Sequence, residues 1–89
     1  MTVRHNAAAH RYEMDTDSGL AIAVYREQGD RMIFTHTEVP AALWGQGIGS
    51  RIVHGALEEV RAQGLKVEAR CSFVSAYLGR HPEFNDLLR

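Results

Sequence analysis

Eighty-nine residues make a chain of one-domain size, and ten basic against eleven acidic side chains argue against a general nucleic-acid binder. With 45% hydrophobic and 24% charged residues the chain is neither disordered nor fibrous, and one modest core is expected at this length. No apolar run approaches the ~20 residues of a membrane span, the first residues lack a signal-peptide core, and the lone Cys71 can form no internal disulfide, so a reducing, cytoplasmic setting is expected.

Residues 1–8 show no readable period. His10 to Asp15 alternates, with Tyr12 and Met14 on one face, and Asp15-Thr16-Asp17-Ser18-Gly19 is a turn cluster. Leu20 to Glu27 predicts a second strand, Gln28-Gly29-Asp30 a second turn, and Arg31 to Val39 a third strand. On that third strand simple alternation puts Met32, Phe34, His36 and Glu38 on one face and Ile33, Thr35, Thr37 and Val39 on the other. Ile48, Ile52, Val53, Ala56, Leu57 and Val60 recur at three- and four-residue spacing, one face of a helix that runs to Gly64, a C-cap glycine. Leu65 to Ala69 predicts a fourth strand, and the third-to-fourth segment is long enough for a right-handed parallel crossover. Ser72 is placed to cap a short helix carrying Phe73, Val74, Ala76 and Tyr77. His81-Pro82-Glu83 starts another, with Phe84, Leu87 and Leu88 packing back. The expected fold is a single α+β domain over residues 1–89: an antiparallel meander, a βαβ unit and C-terminal helices. No repeat, low-complexity tract or linker divides it.

Between the third strand and the long helix stands Trp44-Gly45-Gln46-Gly47-Ile48-Gly49-Ser50. Glycine lets the backbone turn tightly and lets a ligand approach without meeting a Cβ. A helix starting there aims its unpaired N–H groups and positive dipole end into the loop. Strand, Gly-rich turn and helix N-terminus together suit a phosphate or pyrophosphate, through the N–H groups of Gln46, Gly47, Ile48, Gly49 and Ser50. The bland alternative is a tight connection with no ligand. The dinucleotide spacing G-x-G-x-x-G is not met, and no Gly-Lys-Ser/Thr follows.

Trp44-x-x-Gly47-x-Gly49 resembles the acyl-CoA loop of the GNAT superfamily of N-acetyltransferases, Arg/Gln-x-x-Gly-x-Gly/Ala, with Trp44 in place of the usual Arg or Gln. His36-Thr37-Glu38-Val39-Pro40 before the loop and Cys71-Ser72-Phe73-Val74…Tyr77…Arg80-His81-Pro82-Glu83 after it extend the likeness to small single-domain GNAT-like proteins, over roughly residues 9 to 88. The resemblance implies a GNAT-like fold whose two parallel strands splay to admit a pantetheine arm. It also implies acetyl-CoA or CoA as the ligand, with the backbone around Glu38 and Val39 holding the pantetheine amides.

Three side chains are candidates for chemistry. His36, with Glu38 at the strand end nearest the loop, could deprotonate an incoming ammonium, or it could be a half-buried imidazole bonded to backbone. Cys71, near a helix N-terminus, could serve as nucleophile or as acid to the departing thiolate, as the resemblance places it facing the acyl-CoA sulfur; otherwise it is a small core filler. Tyr77 is the rival acid by the same resemblance, or a packing residue between helix and sheet. His5, His10, His54 and His81 make no metal-ligand spacing, and no metal is expected.

The leading expectation is an acyl-CoA-dependent N-acetyltransferase for an unidentified amine, acting by direct amine attack or through Cys71. The alternative is a CoA or acyl-CoA-binding module or partner protein without turnover, since few residues precede the first strand to build an acceptor pocket. A different phosphate ligand in the same loop is a third. Acyl-CoA is the expected small-molecule partner; neither nucleic acid nor membrane is expected, and the oligomeric state is open.

Overall fold

The computed structural model describes residues 2–88. Five strands form one sheet in the order β1-β2-β3-β4-β5, with β1 Val3–Asn6, β2 Arg11–Thr16, β3 Gly19–Gln28, β4 Arg31–Glu38 and β5 Lys66–Ala69. The first four pair antiparallel, and β5 returns parallel to β4 through helix α1, Ile48–Ala62. Helix α2 follows at Ser72–Arg80, and a 3₁₀ helix spans Pro82–Leu88. This is the expected α+β meander and βαβ unit.

Local chemistry sets most element ends. The apolar stripe of α1 is buried as its spacing requires, from Ile48 through Ile52, Val53, Ala56 and Leu57 to Val60. The helix closes in a Schellman arrangement, with Leu65 N–H donating to the Val60 carbonyl at 3.1 Å and Gly64 N–H to Arg61 at 3.0 Å. Tyr12, Met14, Ala21, Ala23, Tyr25, Met32, Phe34 and Val67 form the sheet side of one core, which the helices close with Val74, Tyr77, Phe84 and Leu87.

Four expectations need correction. Strand β1 lies in the stretch that shows no period: four residues pair with β2, Val3 opposite Met14, and that pairing rather than an internal pattern defines the strand. His10 is not in the strand after it; its φ of 54° ends a 3₁₀ turn over Ala7–Ala9. The N-cap of α2 is Cys71, so Ser72 is the first helical residue. Leu88 does not pack back, since it is 42% exposed.

A bulge in β4 reshapes the site. Tyr25 pairs with Phe34 but Val24 pairs with His36, so Thr35 is an extra residue in β4, a β-bulge. Beyond it the alternation reverses. Thr37 comes opposite buried Ala23 on the helix-covered face, while His36 and Glu38 come opposite Val24 and Ile22 on the open face. The grouping of His36 and Glu38 with Met32 and Phe34 is therefore wrong.

On the open face Glu13 is only 4% exposed. Its carboxylate accepts from Asn6 at 2.9 Å, from Arg11 at 2.6 Å and from Arg4 at 3.1 Å. Those bonds, led by Asn6 and Arg11 and outweighing the burial, hold its pKa below the usual carboxylate range.

Candidate functional site

The bulge coincides with the end of parallel pairing. The β4–β5 ladder runs from Arg31 opposite Lys66 to Phe34 opposite Ala69 and goes no further. The Phe34 carbonyl accepts from both Arg70 and Cys71, at 2.9 and 3.0 Å, and the chain then turns into α2. Past Phe34, strand β4 continues against β3 alone. Its other edge, through Thr37 to Val39, faces a gap.

That gap opens into a cleft of about 450 Å³. Thr37 and Val39 form one wall, Phe73 of α2 another, and Gly45, Gly47, Ile48, Gly49 and Ser50 the end. Leu43 and Trp44 stand at its side, and none of these lining residues carries a charge. Gly45 and Gly47 have φ of 83° and 78°, and a Cβ on either would meet nothing within 4 Å. The left-handed conformation demands glycine, and the space around it is open to a ligand. Gly47 is the N-cap of α1, and Arg51 N–H makes the first helical bond to its carbonyl at 3.1 Å. The N–H groups of Ile48, Gly49 and Ser50 therefore have no acceptor within the helix.

Gln46 is placed differently from its expectation. Its N–H donates to the Leu43 carbonyl at 3.2 Å inside the turn, and its side chain is not part of the cleft wall. Gly49 has a second duty: a Cβ there would lie 2.7 Å from Cζ of Phe73. The close approach of the Phe73 ring to α1 thus excludes any larger residue.

Cys71 is half-buried at the N-terminus of α2, its sulfur 3.5 Å from the Thr37 hydroxyl. Burial raises the thiol pKa. The Thr37 hydroxyl and the backbone N–H groups of Val74, Phe73 and Thr37 act against it, and the balance lies below the ordinary thiol value. The sulfur is not itself on the cleft wall, but its neighbour Thr37 is.

The other two catalytic candidates lie elsewhere. His36 is on the open face of the sheet, paired with Glu38 at 3.1 Å, the two side chains 59% and 65% exposed. Tyr77 lines a different pocket with Ser50, Arg51, His54 and His81. Its hydroxyl bonds His54 Nδ1 at 3.1 Å, and its ring stacks on His81 at 3.9 Å between centroids. Burial, then the charges of Glu83 and Glu58, push its pKa up, so the phenol holds its proton more firmly than usual. Thr37 and Phe73 are the residues that sequence reasoning missed. A bulge and a ring seated over a glycine in another element leave no periodic trace.

Two comparisons with known proteins bear on this geometry at sequence level, and one at the level of fold. Residues 11–87 match the family model described as GCN5-related N-acetyl-transferase. Protein NATD1 of Gallus gallus and of Homo sapiens is each 33% identical over 63 residues, covering 70% of this chain and 57% and 56% of those proteins. The chain thus spans little more than half the length of these relatives. The solution structure of a GCN5-like protein from Staphylococcus aureus superposes with a TM-score of 0.76 at 26% identity, covering 98% of this chain and 86% of that one. Strand β5 stays paired with β4 over its whole length and ends at Ala69 instead of splaying from it, so the gap arises where β5 stops. The parallel pair, the glycine turn and the family match agree, and the chain belongs to the GCN5-related N-acetyltransferase family.

Proposed function

We propose that the cleft binds acyl-CoA, acetyl-CoA first among them, and that the chain, acting as a single domain, transfers the acetyl group to an amine. The observation that carries this reading is the pairing of two features in one cavity. The free N–H groups from Gly47 to Ser50 form an anion site at one end. Beyond Phe34 no strand pairs with this edge of β4, and from Thr37 through Glu38 to Val39 it forms a wall along which an amide-bearing arm can lie, the Val39 carbonyl being taken by the Trp44 indole N–H. Open space at Gly45 and Gly47 fits phosphate oxygens close to bare backbone.

The thioester supplies the electrophilic carbonyl. Among this chain's groups Cys71 is the one prepared for the reaction, because the Thr37 hydroxyl and α2 amides stabilise its thiolate. Through Sγ it is equipped either to attack that carbonyl, releasing CoA and forming an acyl-Cys71 from which the amine then displaces the thiolate, or to give its proton to the departing CoA sulfur as the amine itself attacks the carbonyl. Both roles require a free thiol, hence a reducing compartment.

A second reading, a CoA-binding module without turnover, is favoured by one observation: His36 and Tyr77 both lie outside the cleft. Two measurements separate the readings. CoA at one hundred times its Kd adds about 2.7 kcal/mol, and each kcal/mol moves the Tm of a domain this small by about 4–8 °C. A plain Tm rise is expected with CoA and acetyl-CoA, and none at millimolar CoA would end both readings. Acetyl transfer to any member of an amine panel, or one acetyl mass on Cys71, selects the enzyme.

A further inference from the structure

Trp44 is the sole tryptophan and the most exposed large apolar side chain among the described residues, at 71%. It is not loose: its indole N–H donates to the Val39 carbonyl at 2.8 Å, which satisfies its one polar atom. Its main chain is pinned on both sides, Trp44 N–H to Ala41 at 3.2 Å and Gln46 N–H to Leu43 at 3.2 Å. The ring is thus held in place with its surface turned to water, beside the glycine turn.

A pre-ordered aromatic ring loses little freedom when a flat partner settles on it. The cleft beside it carries no charged side chain, so a nucleotide end seated there is held by backbone amides and by whatever else is fixed nearby. We propose that Trp44 is a stacking platform for the adenine ring of the ligand's nucleotide end. The proposal rests on the acyl-CoA reading and adds to it a contact with the base, whereas the amides contact the phosphates.

The test compares three ligands on the full chain by Trp44 fluorescence and by thermal shift: CoA, adenosine 3′,5′-bisphosphate and 4′-phosphopantetheine. The two adenine nucleotides are expected to quench Trp44 at saturation, and phosphopantetheine to leave it nearly unchanged. Trp44→Ala, at a surface position, should weaken CoA about 5- to 150-fold, the range that base–aromatic stacking carries. Phosphopantetheine affinity should fall much less than CoA affinity, and Trp44→Phe should keep most of the CoA affinity. Equal losses for CoA and phosphopantetheine in Trp44→Ala, or no loss for CoA, would overturn the platform while leaving the acyl-CoA reading intact. A wild-type chain that binds neither would overturn both.

Discussion

The hydroxyl of Thr37 lies 3.5 Å from the sulfur of Cys71, across the gap where β4 and β5 cease to pair. One inserted residue, Thr35, makes that contact, because it turns the Thr37 side chain to the helix-covered face. If the hydroxyl stabilises the thiolate, Thr37→Val should raise the Cys71 pKa and slow its alkylation at neutral pH. Thr37→Ser should restore both. The check is the pH profile of iodoacetamide reaction, read by intact mass. A Thr37→Val profile that overlays the wild type would remove Thr37 from the account.

The two glycines of the loop should fail in different ways. Gly47→Ala meets nothing within 4 Å but sits at φ 78°, so a backbone cost of about 1–2 kcal/mol is expected. Gly49→Ala instead collides with the Phe73 ring. In a double-mutant cycle Gly49→Ala and Phe73→Ala should couple, the pair being less destabilised than the sum, while Gly47→Ala and Phe73→Ala should add. Urea midpoints decide it, and strict additivity for the Gly49 pair would contradict the contact.

Tyr77→Phe keeps the buried ring and deletes the bond to His54. A stability loss of about 1 kcal/mol is expected, with acetyl transfer and CoA affinity unchanged. A selective fall in kcat, with Tm and KM preserved, would instead make Tyr77 part of the reaction.

Glu13 should impose an acid limb on stability. Its folded-state pKa lies below its ordinary value of 4.5. The linked stabilisation is therefore present above that ordinary value and is lost as pH falls through the folded one. Glu13→Gln should lower stability at neutrality and flatten the acid limb. Parallel curves of Tm against pH for wild type and variant would show that the carboxylate contributes no linkage.

What the chain reveals by itself is whatever depends on neighbours in sequence. The three- and four-residue spacing from Ile48 to Val60 is a property of one helix, and the structure buries that stripe. The Gly64 cap and the turns within Asp15-Thr16-Asp17-Ser18-Gly19 and Gln28-Gly29-Asp30 are equally local, since backbone torsion preference acts within a few residues, although Asp15 and Thr16 of the first cluster pair in β2. The family likeness is also legible, because each of the segments that carry it, His36–Pro40, the loop Trp44–Ser50 and Cys71–Glu83, is continuous in sequence.

Tertiary structure decided everything that depends on register or on contact between distant segments. Strand β1 exists because Val3 finds Met14. The bulge at Thr35 is a mismatch between two strands, and it sends His36 and Glu38 to the open face and Thr37 to the cleft. Tyr77 meets His54 of α1 rather than the cleft, a contact between residues 23 positions apart in the chain. A side chain's facing follows from hydrogen-bond pairing across the sheet and from helix packing, and neither is written in the spacing of residues along one strand.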